Sequence, residues 1–542
     1  MAVARTREPA TLELVLKRNP VERLKREKSP LGILGELPAL IAAGYEQVAE
    51  EDLVRLKWWG LYHDKPKVGT FMLRIKLPGG RVEPHQLRMI GELSTRFGRG
   101  EGELTTRQNV QLHYLELAAL PDVLGELERA GLTTAGACGD AVRNITGCPL
   151  AGVAHDELFD AAPVVQEAAE FFYGNPDYSD LPRKHKISIA ACAHRCNAPE
   201  INCISLVGVL HDGEPGFAVL VGGGLSSVPR LARGLGVFVR PDEALPVLRA
   251  LLDAWKEDLT YRVSRVKARM KFMVDDYGPD GIRAEVERRL GYALPDYELP
   301  PPGTVHEHLG AQPQGQAGLV ALGVPVHLGL VTGERLVAVA ELAESLGGDV
   351  RVTRQQNLVL TGVPEDRADA VSARLAEIGF PLELDGARGS SIACTGEPHC
   401  NFSVAETKTR LDELLVHLET RFGAPVLDGL RLHLDGCPHA CAQHWVGDLG
   451  FQGTTARDEE GRRRQAYDIF LRGGLGPDAA IARPVFRRVP AEELAPAVEG
   501  LVGGWLSERL PDEGFRAFTD RLSNDELGVL AGLEPARTRE AA

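Results

Sequence analysis

Cysteine supplies the first chemistry. Residues 394–441 read Cys394-Thr-Gly-Glu-Pro-His-Cys400, then a spacer, then Cys437-Pro-His-Ala-Cys441. Four thiolates in two close pairs are the ligand set of a [4Fe–4S] cluster. Zinc ribbons pair their cysteines two to four apart and repeat the spacing. Here the first pair has five intervening residues and the second has three. Pro, Gly and His fill both loops, as suits backbone N–H groups that turn toward sulfur. A zinc site, or four unrelated buried thiols, are the competing readings.

The elements that must hold this set belong to a large chain. It has 542 residues, 44% hydrophobic and 25% charged, which is room for several domains. A net charge of −15 argues against nucleic-acid binding by bulk attraction. No apolar run spans a bilayer, and the first residues lack the apolar core of a signal peptide, so a cytoplasmic location is expected. Nine cysteines in such a chain favour metal or redox chemistry over disulfides. Residues 1–28 carry eight Lys/Arg (Arg5, Arg7, Lys17, Arg18, Arg23, Lys25, Arg26, Lys28) against four Glu. These form a solvated helix face or a docking edge for an acidic partner.

The order of elements repeats. Residues 1–65 read as a helical, wrapping segment. Phe71–Leu77 alternates like a strand, 84–97 has helical spacing, 103–114 reads as one strand and 120–130 as a helix. The series returns with a strand at 326–331, a helix at 334–346, a strand at 350–360 and a helix at 364–378. Thr-Arg-Gln stands at 106–108 and again at 353–355, an offset of 247. Lys186–Cys196 matches Arg431–Cys441 at offset 245, and Phe217–Leu225 matches Tyr467–Leu475 at offset 250. The chain is therefore a duplication of two large halves. The expected division is 1–65, a half-domain over 66–132, a larger domain over 133–292, a proline-rich linker over 293–318, a half-domain over 319–385 and a larger domain over 386–542. Two halves about a pseudo-two-fold axis leave a cleft for a large cofactor. Cys192 and Cys196, with Cys148 and Cys203 nearby, read as a second metal set or as buried apolar thiols. The position matched to Cys394 at offset 245 is Pro149, so the first set lacks the second set's pattern.

The C-x5-C and C-x3-C pairs, together with the full-length duplication, resemble the sirohaem-dependent nitrite and sulfite reductases. The resemblance implies an α+β fold in which two ferredoxin-like half-domains accompany two larger α/β domains that hold sirohaem and cluster. It implies that Cys394, Cys400, Cys437 and Cys441 ligate the cluster and that Cys441 also reaches the sirohaem iron. Sirohaem carboxylates need planar cationic partners. Arg107, Gln111 and His113, and in the repeat Arg354, Gln355 and Asn357, are the residues the resemblance places there, with Arg183. It places Arg74, Arg143, Lys184 and Lys186 around the substrate anion, which must be held and supplied with protons.

The same residues divide over the substrate. Val142–Gly152 looks like nitrite-reducing members, and Ala141 stands where some sulfite-reducing members carry Cys. Lys186 looks like sulfite-reducing members, and a second lysine suits a dianion. The reading leans to nitrite reduced to ammonia, with sulfite reduced to sulfide as the alternative. A related fold that oxidises a tetrapyrrole in corrinoid biosynthesis, and a non-catalytic zinc protein, are the remaining alternatives. No G-x-G-x-x-G stands between a strand and a helix, so electrons must come from a separate carrier. The resemblance implies ferredoxin as that donor and a monomeric enzyme. The first 28 residues and Arg462-Arg463-Arg464 are the candidate docking cations.

Overall fold

The computed structural model describes residues 10–66, 68–192, 194–303, 306–382, 385–397 and 399–536. Arg5 and Arg7 of the cationic N-terminus lie outside them.

Two five-stranded sheets form the centre. One has the order Leu61–His63, Thr70–Ile75, Val110–Glu116, Glu101–Leu104, Leu330–Thr332. The other runs Gly310–Pro313, Leu319–Val324, Leu358–Pro364, Val350–Val352, Arg81–Val82. Each sheet takes its last strand from the opposite half of the chain. Val331 pairs with Gly102, and Val350 pairs with Val82, both antiparallel. Such exchange closes an edge that would otherwise expose unpaired backbone groups. Helices Pro84–Phe97 and Gly333–Leu346 follow the exchanged strands and pack on each other. Their close approach requires glycine. A Cβ on Gly91 would lie 2.5 Å from the carbonyl oxygen of Gly333. Apolar residues of both half-domains, from Phe71 and Leu112 to Leu336 and Leu360, share one core.

Three expectations need correction here. The repeat of strand Thr70–Ile75 is Leu319–Val324, not 326–331; residues His327–Gly329 form a 3-10 turn and only Leu330–Thr332 is extended. The stretches 103–114 and 350–360 are each a hairpin, not a strand. Gln108 and Gln356 take positive φ values of 55° and 63° at the bends. The bends also set the repeat register. Thr105 N–H donates to Asn109 O at 3.0 Å and Thr353 N–H donates to Asn357 O at 2.9 Å. The offset is therefore 248, so Arg107 is the counterpart of Gln355, and Arg354 is that of Thr106. The amide of Gln108 donates to Val352 O at 3.0 Å and that of Gln356 to Leu104 O at 2.8 Å, a reciprocal pair across the pseudo-axis.

Each larger domain is a sheet that starts with parallel strands, one parallel pair in the first and two in the second, and continues antiparallel. The first is Ile187–Ala190, Ile204–His211, Glu214–Val221, Arg233–Val239. The second is Ile392–Ala393, Leu432–Asp435, Leu449–Arg457, Arg463–Leu471, Arg483–Pro490. Each has its own apolar core. The N-terminal helices strap onto the first half. Lys25 is buried there, paired with Glu22 at 2.6 Å and Asp180 at 2.8 Å, while Glu22 also takes Arg262 at 3.0 Å. Lys25 is thus removed from the candidate docking cations. Arg462 and Arg464 are exposed, but both pair with Asp458.

Candidate active site

Parallel pairing brings Cys394 and Cys437 together. Strands Ile392–Ala393 and Leu432–Asp435 run side by side in the same direction, so the loops that follow them leave one edge. Cys394 N–H donates to Leu434 O at 3.1 Å, and Gly436 N–H donates to the Cys394 sulfur at 3.3 Å. The Thr407 hydroxyl donates to Cys394 O at 2.7 Å. Asp435 gathers the second loop by accepting from the N–H of Ala442 at 2.7 Å and of His444 at 3.2 Å. Burial pushes the Cys437 thiol up to about 12, and Cys441 and Cys400 add to that rise. Cys394 is raised by burial and then by Asp435, Cys441 and Cys400. The four sulfurs thus share one partly buried field whose cost falls when a cationic centre binds thiolate. That donor set fits a [4Fe–4S] cluster.

Cys441 is the exposed member, and it borders the cleft between the halves. The Thr106 hydroxyl of the first-half hairpin donates to Cys441 O at 2.8 Å. Beside it lies a small polar pocket lined by Arg107, Lys186 and Asn202 from the first half and by Arg354 and Gln443 from the second. Arg107 donates to Asn202 Oδ1 at 2.6 Å and to Ile187 O at 3.1 Å. Arg354 donates to Gln443 Oε1 at 2.7 Å and to Cys196 O at 3.1 Å. Burial lowers Arg107 to about 10. Burial, then Arg107 and Lys184, holds Lys186 far below the usual lysine range. Buried cations that depress one another fit a polyanionic group, as do the partnerless buried Nε of Arg107 and Nε2 of Gln355. Sirohaem, with its ring of carboxylates, meets that requirement.

The residues expected around the anion lie in the same region. Lys184 is lowered to about 8 by burial and then by Arg269, with Arg143 and Arg183 adding to it and Cys441 opposing. Arg74 is lowered to about 10 by burial and by Arg143. Arg143 donates to Gly139 O at 2.7 Å and Gly136 O at 3.2 Å. Tyr62 and Cys138 stand between the two arginines. The Tyr62 hydroxyl contacts the Cys138 sulfur, Arg74 lies 5.7 Å from the Tyr62 ring, and Arg143 reaches the Cys138 sulfur at 3.5 Å. Neither had been singled out as a site residue, although the run Trp58-Trp59-Gly-Leu-Tyr62 stands out in the sequence.

Comparison with known proteins agrees with this geometry. The nitrite and sulphite reductase 4Fe-4S domain matches residues 138–294, and the nitrite/sulfite reductase ferredoxin-like half domain matches 63–130 and again 312–378. The chain is 34% identical to Sulfite reductase [ferredoxin] 1 of Mycolicibacterium paratuberculosis, over 94% of this chain and 96% of that one. It is also 34% identical to the chloroplastic ferredoxin–nitrite reductase of Zea mays, over 91% of each. The solved structure of the Mycobacterium tuberculosis NirA protein superposes with a TM-score of 0.90 at 33% identity, covering 94% of this chain and 97% of that one. The chain belongs to the ferredoxin-dependent nitrite and sulfite reductase family. Its cofactors are those of the family, a [4Fe–4S] cluster and sirohaem. Among the described residues no helix is long and apolar enough to cross a membrane.

Some residues given to the sirohaem by resemblance are engaged elsewhere. Asn357 is committed at both ends, accepting from Val326 N–H at 2.9 Å and donating to Gly389 O at 2.7 Å. Gln111 accepts from Arg74 at 2.6 Å and 2.8 Å and donates to Glu103 and Thr395, each at 3.0 Å. It therefore joins the anion arginine to the residue after Cys394. His113 is buried between Asp64 at 3.8 Å and Glu103 at 3.6 Å, with its ring 4.0 Å from that of His399 in the cluster loop. The cause is the pleat, which points residues 111 and 113 to one face of the sheet, toward the cluster loop. Arg183 contacts the buried Asp140 at 3.4 Å, a carboxylate that Arg265 also holds at 2.8 Å.

Proposed function

We propose that this reductase acts on sulfite, taking it to sulfide with six electrons from ferredoxin. Lys186 carries the reading. It lines the cleft next to Arg107 and within the field of Lys184, and a second lysine beside the anion suits a dianion better than a monoanion. Its relatives include sulfite reductases and, at equal identity, nitrite reductases, so the choice rests on the site. Bound sirohaem and cluster supply one-electron redox chemistry. Arg74 and Arg143 hold the anion, each with its guanidinium oriented by backbone carbonyls or by Gln111. The Lys184 Nζ, with a pKa of about 8, is suited to give up a proton near neutral pH as oxygen leaves as water.

Nitrite reduced to ammonia is the second reading, favoured by Val142–Gly152 and by Ala141. Specificity constants for both anions, measured with ferredoxin on the holoenzyme, decide between them. A higher value for nitrite overturns the choice. Lys186→Asn should move the ratio toward nitrite, and an unchanged ratio removes Lys186 as its carrier.

A further inference from the structure

The first half holds a sulfur centre of its own. Cys148, Cys192 and Cys196 are buried together with Leu150, Ala190 and Ala321. Their place in the duplication is informative. Thr146 bridges in parallel to Ser188, as Ile392 pairs in parallel to His433, so the local offset is 246 and the counterpart of Cys394 is Cys148, not Pro149. Cys192 and Cys196 correspond to Cys437 and Cys441 at offset 245. Three of four cluster positions are therefore cysteine in the first half as well. The fourth, the counterpart of Cys400, is Ala154. A histidine from the linker between the halves comes in instead. The Nε2 of His308 lies 3.7 Å from the Cys148 sulfur, and the Cys192 and Cys196 sulfurs are 3.7 Å apart. The ligand atoms of Cys148, Cys196 and His308 all lie within 4.8 Å of one another.

These distances select the ion. Sulfurs about 2.3 Å from a tetrahedral centre sit about 3.8 Å from each other, and an imidazole nitrogen sits slightly closer. The two 3.7 Å separations are those of a single ion, and a cube of iron and sulfide would hold its thiolates further apart; Cys192 meets Cys196 but stands outside the group of three, so it completes the set by a small shift of its sulfur. The surroundings are arranged for it. Leu150 N–H donates to the Cys148 sulfur at 3.4 Å. The Nδ1 of His308 meets Gln312 Oε1 at 2.9 Å, which places its proton there and leaves the Nε2 lone pair facing the sulfurs. We propose that Cys148, Cys192, Cys196 and His308 bind a structural zinc ion. It would pin the linker to the first half. It would also brace the wall of the cleft, because Cys196 O accepts from Arg354.

Metal analysis of the purified holoenzyme tests this directly. The expected result is about one zinc per chain, beside the iron of haem and cluster. Gln312→Leu, which removes the carboxamide on His308 Nδ1 and leaves His306 Nδ1 at 3.3 Å, should weaken zinc retention against a chelator roughly 10- to 100-fold while haem and cluster absorbance stay unchanged. His308→Cys should keep the metal. A wild-type holoenzyme without zinc overturns the proposal, as does iron in excess of haem and cluster that disappears in a Cys148→Ser, Cys192→Ser variant. Zinc that survives that double substitution overturns the assignment of its ligands.

Discussion

His113 offers a quantitative test of the network beneath the cluster loop. Its imidazole is raised from 6.5 to about 9; burial opposes the proton and is outweighed by Asp64 and Glu103 on either side. At 1.36 kcal/mol for each tenfold step, that rise corresponds to about 3 kcal/mol of folding stability. The sign follows from linkage. A raised folded pKa contributes in full below about 6.5 and is lost as pH climbs through about 9. His113→Gln keeps the approximate volume and removes the charge, leaving two buried carboxylates with Lys408, 3.6 Å from Glu103, and His399, 3.6 Å from Asp64, as remaining relief. The multidomain holoenzyme does not unfold in two states, so the assay is the thermal midpoint of each transition followed by calorimetry across this pH range. If the shared half-domain core melts as a unit of about 200 residues, the variant should fall by roughly 6–12 °C near pH 6. The gap should close toward pH 9. A gap that stays constant with pH would refute the charged His113, and no gap at pH 6 would refute the network itself.

Three further outcomes follow from single contacts. Asn357→Leu strands Val326 N–H and Gly389 O, each costing about 1–3 kcal/mol, so the midpoint should drop while sirohaem per folded molecule is unchanged; loss of haem from folded protein would restore a cofactor role. Lys184 loses its proton as pH rises through about 8, and losing a charge-assisted bond of about 1.5–3 kcal/mol should raise KM for the anion by roughly tenfold or more, whereas Lys184→Arg should keep KM flat across that pH. Thr106→Val removes the hydroxyl on Cys441 O at a cost of about 1 kcal/mol, and the cluster absorbance should bleach sooner on heating than in the wild type.

The cysteine pairs and the duplication were legible because each is a matter of residue type and spacing, whereas the residues expected around the anion came from the resemblance. Register was harder. The hairpin bends match Gln108 to Gln356, and the shared Thr-Arg-Gln letters align one step away from that spatial match. The same single-residue difference hid Cys148 behind Pro149. The strands Arg81–Val82 and Leu330–Thr332 are short, and nothing in a two- or three-residue run reveals that it crosses to the opposite sheet. The destinations of Gln111 and His113 depend on which loop lies over their face of the sheet. That loop, 394–400, is some 280 residues further along the chain.

Exchange of edge strands explains why a duplicated chain builds one site. Because each ferredoxin-like sheet is completed by the other half, the two hairpin bends are locked to each other through Gln108 and Gln356 and cannot move apart. From that fixed centre Arg107 reaches into the first half, and Arg354 reaches Gln443 in the second. The halves have since diverged where the chemistry differs. Asp435 gathers the backbone N–H groups of the loop that carries Cys437 and Cys441, and its counterpart Ala190 has no carboxylate to do so. Cys400 has Ala154 as its counterpart, so an open four-thiolate set survives on one side only. The cationic lysines are likewise confined to one side, since Lys186 corresponds to Arg431, which is bound to Asp448 at 3.0 Å. On the proposed reading one half would hold the cluster and the other the anion, with Cys441 at the boundary between them.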